Sequence, residues 1–290
     1  MCLIKTFCIA AVIICFAADV DGQETHAGIL ESRIYSTSVE DQNFKRMYIY
    51  LPAEYYSTEK SYPVVYFLHG ANGNERSWIE KGHILEYIDS LTSRKEIMES
   101  IYIFPNMNRY YREYDYLFSR PNKSIEAYFG LDGSAEYSFI NDIVEYVDDN
   151  FRTIPSMKYR GIAGLSLGGL NALYISANKE GYFGYIGLFS PMIYPPTSFG
   201  SHSYIYKNIE EKLDEQFAAS PPLYVIMIGK SDLCYNSAYM YSEYLKRQNY
   251  PHVFISTAGG HTWKNWRNYS ISFLKALYVL ASEDICPTSP

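Results

Sequence analysis

The chain has no run of lysine and arginine, and its 25 basic residues are outnumbered by 32 acidic ones. Binding a phosphate backbone needs clustered cations, so no nucleic-acid partner is expected. No His-x-x-x-His or Cys-x-x-Cys spacing marks a zinc site, and no Gly-x-Gly-x-x-Gly marks a dinucleotide. The sequence therefore asks for no metal and no cofactor. Cysteine is scarce, with 5 in 290 residues. Past the N-terminus no segment is apolar enough to cross a bilayer. There is also no internal repeat, no Pro/Ser-rich linker and no low-complexity tract. What remains is 48% hydrophobic and 20% charged. That balance excludes a disordered chain, a collagen and a coiled coil.

The first residues read as a targeting segment. Met1 to Lys5 form a short, weakly basic head, and Phe7 to Ala18 form an apolar run of signal-peptide length. Such a run is too short to span a bilayer. The small residues Ala17, Ala18 and Gly22 predict cleavage near residues 17–23, with residues 1–22 as the signal peptide. Residues 23–290 are then a single secreted or periplasmic domain without a stable membrane span. The polar stretch Asp19 to Gln23 argues against a retained anchor. The bulky Ile14 argues against lipidation of Cys15. Cleavage leaves Cys234 and Cys286, which could pair in an oxidising compartment.

The mature part alternates two patterns. Apolar, β-branched or aromatic runs recur at Met47–Leu51, Tyr62–Leu68, Ile101–Phe104, Tyr159–Ala163, Tyr185–Phe189, Leu223–Ile228 and His252–Ser256. Several are apolar on consecutive residues, as strands buried on both faces require. Helix-period stretches lie between them: Ile140, Ile143, Val144, Val147 and Phe151 share a face, as do Trp266, Tyr269, Phe273 and Leu277. Strands alternating with helices predict an α/β fold, with a mostly parallel central sheet flanked by helices. Two long irregular stretches, about residues 105–133 and 191–204, stand out as candidate functional loops.

In such a sheet the chemistry collects where the strands end at their carboxyl side. The Tyr159–Ala163 run is followed by Gly164-Leu-Ser166-Leu-Gly168-Gly169, a Gly-x-Ser-x-Gly between a buried strand and a helix. That is the context of a nucleophile elbow, whose sharp turn projects a serine above the sheet. The alternative is a glycine-rich turn with an inert serine. After Leu223–Ile228 comes Asp232, a carboxylate able to orient an imidazole or simply to cap a helix. After His252–Ser256 comes Gly259-Gly260-His261, where two small residues let a ring reach across the sheet. The order Ser166, Asp232, His261 is that of the α/β-hydrolases. After Tyr62–Leu68 comes His69-Gly70-Ala71, the loop expected to offer one oxyanion N–H from Ala71. The other would come from Leu167, with His69 bracing the loop. The other histidines have no such setting. His83 lies in a helical stretch and His252 begins a strand, while His26 and His202 sit in irregular segments.

These stretches resemble the esterase D, or putative esterase, family of α/β hydrolases. That family includes feruloyl and acetyl-xylan esterases, S-formylglutathione hydrolases and mycolyltransferases. The matching segments are Val64 to Gly70 with Trp78, Ile143 to Thr153, Ile162 to Gly169, Gly229 to Asp232, and Gly259 to Trp263 with Trp266. The resemblance implies the α/β-hydrolase fold over about residues 45–280. It implies a catalytic triad of Ser166, Asp232 and His261, with Ala71 and Leu167 donating to the oxyanion.

The chain departs from the family in a tyrosine-rich stretch at 106–130. Its 31 tyrosines exceed the needs of an ordinary core, and a ring with a polar tip suits gripping sugars or phenolic rings. Tyr110, Tyr111 and Tyr114, with Trp263 beside His261, are the expected substrate contacts; packing of the loop against the domain is the alternative. The expected substrate is an acyl ester, small or linked to a polysaccharide, with feruloyl or acetyl groups foremost. The same triad would serve an acyltransferase, and a non-catalytic carbohydrate-binding module on the same scaffold is the remaining alternative.

Overall fold

A computed structural model describes residues 27–38, 44–108, 134–193 and 207–283. Eight strands form one sheet: β1 (Ile29–Ser36), β2 (Phe44–Leu51), β3 (Val64–Leu68), β4 (Ile101–Pro105), β5 (Arg160–Leu165), β6 (Tyr185–Phe189), β7 (Leu223–Gly229) and β8 (Val253–Thr257). Their spatial order is β1-β2-β4-β3-β5-β6-β7-β8. β2 pairs antiparallel with both β1 and β4, and every pairing from β4 onward is parallel. The expected mostly parallel sheet with flanking helices is present.

The helices are α1 (Ser77–Glu80), α2 (Ile84–Ser93), α3 (Ser134–Phe139), α4 (Glu145–Asn150), α5 (Leu167–Ala177), α6 (Ile209–Ala218), α7 (Tyr235–Arg247) and α8 (Trp263–Glu283), with a π turn (Ile140–Val144) joining α3 to α4. They divide between the two faces of the sheet. Tyr66 and Ile226 meet the helices of one face through Phe139, Leu170, Leu213 and Ala238. Val65, Phe67, Val225 and Met227, their neighbours along the strands, meet Trp78, Ile88, Phe273 and Leu277 on the other. Side chains alternate across a strand, so β3 and β7 feed both layers and have no solvent face. That is why they read as continuous apolar runs. α5 is buried along its whole length, because α6 and α3 pack on the side facing away from the sheet.

Three sequence expectations are corrected. β1 was not anticipated: it is an edge strand whose residues are mostly alternately half-buried and exposed, with Glu31 and Arg33 among them. β3 begins at Val64 because Pro63 has no N–H for the ladder; Tyr62 makes only an isolated bridge to Thr153. His83 is not inside a helix but sits in a left-handed turn just before α2. The tyrosines are also more internal than a wet-surface reading suggests, since Tyr50, Tyr66, Tyr102, Tyr185 and Tyr224 are fully buried.

Candidate active site

β5 runs straight into Ser166, whose φ of 55° and ψ of −118° lie outside the regions open to most L-residues. The two flanking glycines explain how the chain holds that turn. A Cβ on Gly164 would overlap the carbonyl oxygen of Gly168, and a Cβ on Gly168 would overlap that of His69. The serine is therefore pinned between β5 and α5, and the strain is held by main-chain bonds on either side. Ser166 N–H donates to Phe189 O at 2.9 Å, and Met192 N–H donates to Ser166 O at 3.1 Å. Among the described residues the Ser166 hydroxyl has no hydrogen-bond partner.

Asp232 and His261, 29 positions apart, meet across the ends of β7 and β8. The His261 Nδ1 stands 2.9 Å from one Asp232 oxygen and 3.1 Å from the other. Asp232 also accepts the Cys234 N–H at 2.8 Å, so it steadies the start of α7 as well as the ring. Asp232 is not itself the cap of α7: Cys234 holds that position, with no side-chain capping bond. Burial by itself would raise the Asp232 carboxyl. Hydrogen bonds from His261, the Cys234 N–H and the Ser190 hydroxyl outweigh it and hold the group below its usual range.

One residue beside this pair, Ser190, escaped the sequence reading, while Trp266 was read as part of a helix face and of a family-matching segment. Ser190, fully buried at the end of β6 with a φ of 45°, accepts the Trp266 indole N–H at 3.1 Å. The Trp266 ring meets the His261 ring edge-on, with centroids 4.9 Å apart. Asp232, His261, Trp266 and Ser190 thus form a closed ring of contacts. Only the strand order β5-β6-β7-β8 brings them together. The one local signal for Ser190 was its place directly after a buried strand.

The loop after β3 is braced as expected. Met107 N–H donates to His69 Nε2 at 3.0 Å, which leaves the proton on Nδ1 to reach Gly70 O at 2.8 Å. Burial pushes the His69 imidazole down to about 4, so it stays neutral and structural. Trp78 Nε1 ties the end of β3 from below, donating to Leu68 O at 3.0 Å. Gly70 packs directly on Leu165 and Ser166. The following Ala71 N–H has no hydrogen-bond partner among the described residues. Leu167 occupies the first turn of α5, where main-chain N–H groups have no intrahelical acceptor. Leu167 directly follows Ser166 in the chain, and Ala71 directly follows Gly70, which packs on Ser166.

Trp263 is half-buried and packs edge-on against Trp78 and Trp266, at 5.4 Å and 5.2 Å between centroids. Tyr110, Tyr111 and Tyr114 lie outside the described residues, as do residues 1–26 with the signal segment, and Cys286. Cys234 is buried with a free thiol. His252 is half-buried and bonds Ser242 Oγ and Tyr250 O, a structural setting. No described helix is long and apolar enough to cross a membrane.

Comparisons with known proteins follow the same lines. A family model described as "Putative esterase" matches residues 41–273. The chain is 31% identical over 152 residues to an endo-1,4-beta-xylanase/feruloyl esterase of Xylanibacter ruminicola, covering 51% of this chain but only 20% of that larger protein. It is 23% identical to an acetyl esterase of Caldicellulosiruptor saccharolyticus, covering 71% of this chain and 79% of that one. Among solved structures, a ferulic acid esterase from the anaerobic fungus Anaeromyces mucronatus superimposes with a TM-score of 0.72 at 22% identity, over 91% of this chain and 95% of that chain. An S-formylglutathione hydrolase from Staphylococcus aureus gives a TM-score of 0.67 at 19% identity, over 90% of this chain and 99% of that chain. At such identities the structural matches establish the α/β-hydrolase fold.

Proposed function

The chain belongs to the putative esterase family, and from that premise we propose that it is a serine carboxylesterase acting on feruloyl or acetyl esters of plant polysaccharides. The observation that carries this reading is the 2.9 Å bond between His261 and Asp232, beside a serine held in the strained turn after β5. The feruloyl and acetyl esterases among the relatives support the choice of ester. A leader at residues 1–22 would export the enzyme, secreted or periplasmic, to where such polymers lie.

In the mechanism, Ser166 Oγ attacks the ester carbonyl while His261 Nε2 takes its proton. Asp232 keeps the other ring proton on Nδ1 and stabilises the imidazolium that forms. The Ala71 and Leu167 N–H groups meet the oxyanion, each worth about 10²–10³ in rate. His261 then protonates the leaving alcohol. Water next repeats the attack on the acyl-enzyme, releasing the acid and restoring the serine. The serine–histidine bond closes when substrate is bound; in resting enzymes this contact is commonly long. Tyr110, Tyr111, Tyr114 and the free side of Trp263 would hold the acyl or sugar part.

The test compares the purified protein with Ser166→Ala on p-nitrophenyl acetate, p-nitrophenyl butyrate and methyl ferulate. Turnover by the parent and its loss by about 10⁴ or more in the variant is the expected result. The preferred ester then separates acetyl from feruloyl chemistry. Equal turnover by both proteins would overturn the reading. An alcohol acceptor that diverts the acyl group from water would instead identify an acyltransferase on the same triad.

A further inference from the structure

Cys234 lies two residues past Asp232, and its thiol has no part in the mechanism above. Yet one donor atom each from Asp232, Cys234 and His261 falls within 4.8 Å of the other two. A carboxylate, a thiol and an imidazole are the donor set of a thiophilic divalent cation such as Zn²⁺. We propose that these three side chains form an inhibitory site for a thiophilic divalent cation, and that its occupation switches the esterase off. No zinc-type spacing announces it in the sequence, because His261 joins the other two only through the pairing of β7 with β8.

Geometry and charge both fit. Donors around a tetrahedral Zn²⁺ stand about 3.5 Å apart, given metal–ligand lengths of about 2.0–2.3 Å. Closing from 4.8 Å asks for a contraction of the order of an ångström. The His261 Nδ1 already stands 2.9 and 3.1 Å from the Asp232 oxygens, so the contraction falls on the Cys234 thiol, while Gly259, at a φ of 90°, and Gly260 leave the His261 loop room to adjust. The Asp232 side chain is fully buried and Cys234 is buried, whereas the His261 side chain keeps 20% of its surface exposed. An ion therefore enters past the imidazole, and solvent supplies its fourth ligand. The cation displaces the thiol proton, which is released to solvent. One thiolate, one carboxylate and one neutral imidazole then balance a divalent charge, so no net charge is buried.

The consequence for catalysis does not depend on which ring nitrogen binds. A metal on Nε2 occupies the lone pair that would take the Ser166 proton. A metal on Nδ1 forces the ring proton onto Nε2, which then faces the serine as a donor. In either case the general base is lost. This inhibitory step rests on the reading of His261 as that base; metal binding itself does not.

The first readout is spectroscopic and independent of turnover. Co²⁺ is titrated into the metal-free full-length chain, and the near-ultraviolet thiolate-to-cobalt band is followed in the parent, Cys234→Ser and Cys234→Ala. The second readout is the ratio of ester turnover with Zn²⁺ to turnover with a chelator, taken within each protein so that differences in basal rate cancel. The expected result is a saturable thiolate band in the parent that both variants lack. Zn²⁺ inhibition should be reversed by chelator and weakened by more than about tenfold in the variants, since loss of even an outer-shell partner costs that much. Absence of the band in the parent, or equal Zn²⁺ inhibition in parent and variants, overturns the proposal. A band in a parent that turns over no ester would sustain the metal site while the esterase reading fell.

Discussion

Trp266 Nε1 donates to Ser190 Oγ at 3.1 Å across 76 positions of sequence, and the same indole ring stands edge-on to His261. The hydroxyl that accepts this bond is left with its own proton, which it gives to the Asp232 carboxylate. Ser190 thereby links the packing of α8 to the Asp232 carboxylate.

Ser190→Ala is expected to lower kcat about tenfold with KM near that of the parent, since a hydrogen bond to a charged group is worth about 1.5 kcal/mol or more. Without this donor the Asp232 carboxylate becomes a stronger base and holds the imidazolium more firmly. The acid limb of the kcat profile should therefore move to higher pH. Trp266→Phe, which keeps a ring against His261 but loses the N–H, should move it less. A profile that does not shift in Ser190→Ala would leave Ser190 a purely structural residue.

Asp232→Asn should keep the fold and lose about 10⁴ in kcat, because an amide favours the wrong imidazole tautomer. The carboxyl is held below its usual range in the folded protein, so its stabilising contribution is full above the unfolded value. That contribution is lost as pH falls through the folded value. Denaturant melts of parent and variant should differ at neutral pH and converge in strong acid, whereas a gap that persists there would contradict the assigned direction.

His69 provides a stability prediction away from catalysis. Its imidazole falls from 6.5 to about 4 on burial. Below 6.5 the unfolded chain takes up a proton that the folded protein refuses. Stability is therefore undiminished above that value and declines as pH falls toward 4, by about 3 kcal/mol in all. Urea unfolding at pH 7.5 and pH 5 should show the decline in the parent and a smaller one in His69→Gln. Equal slopes in the two proteins would remove His69 as its source.

Gly168→Ala tests the elbow itself. The added methyl would strike the His69 and Leu68 carbonyl oxygens, which are main-chain atoms with little room to move. A loss of about 3 kcal/mol or more is expected, with turnover falling further than the unfolded fraction explains. Ala at Gly181, where nothing lies within reach of a Cβ, is a poor control because its φ of 74° strains any L-residue. Ala172→Gly, within the same helix α5, is the better one, with the ordinary helix penalty of about 1 kcal/mol and an unmoved serine.

Much of this site could be read in advance, and the reason differs from residue to residue. Ser166 was legible because the elbow is a local steric device: two glycines two positions away from a serine, between a buried strand and a helix. Asp232 and His261 were legible by position, each just beyond an apolar run, in the chain order of one known arrangement. His69 was read as a brace from its place in the loop after β3. β1 was missed because an edge strand with one face in solvent carries no continuous apolar run. Ser190 beside Asp232 was missed for another reason: it is ordinary in its own segment and gains meaning only from Trp266 and Asp232, dozens of residues away. Trp266 was read as part of a helix face and Cys234 as a possible disulfide partner, and neither segment shows that it lies close to Asp232 or His261.

The sequence by itself determined what depends on neighbours along the chain: the alternation of buried strands and amphipathic helices, the strained serine turn, and the small residues that open the loops beside it. Burial on both faces requires unbroken apolar runs, and a sharp turn requires missing side chains, so both leave a local mark. Only the tertiary structure decided which strand ends stand side by side. The order β5-β6-β7-β8 sets Ser190 between the indole of Trp266 and the carboxylate of Asp232, and brings His261 within reach of the Cys234 thiol. Hydrogen bonds act over about 3 Å and metal–ligand contacts over about 2.0–2.3 Å, and the chain folds back through whole helices between one strand end and the next, so no spacing along the sequence encodes them.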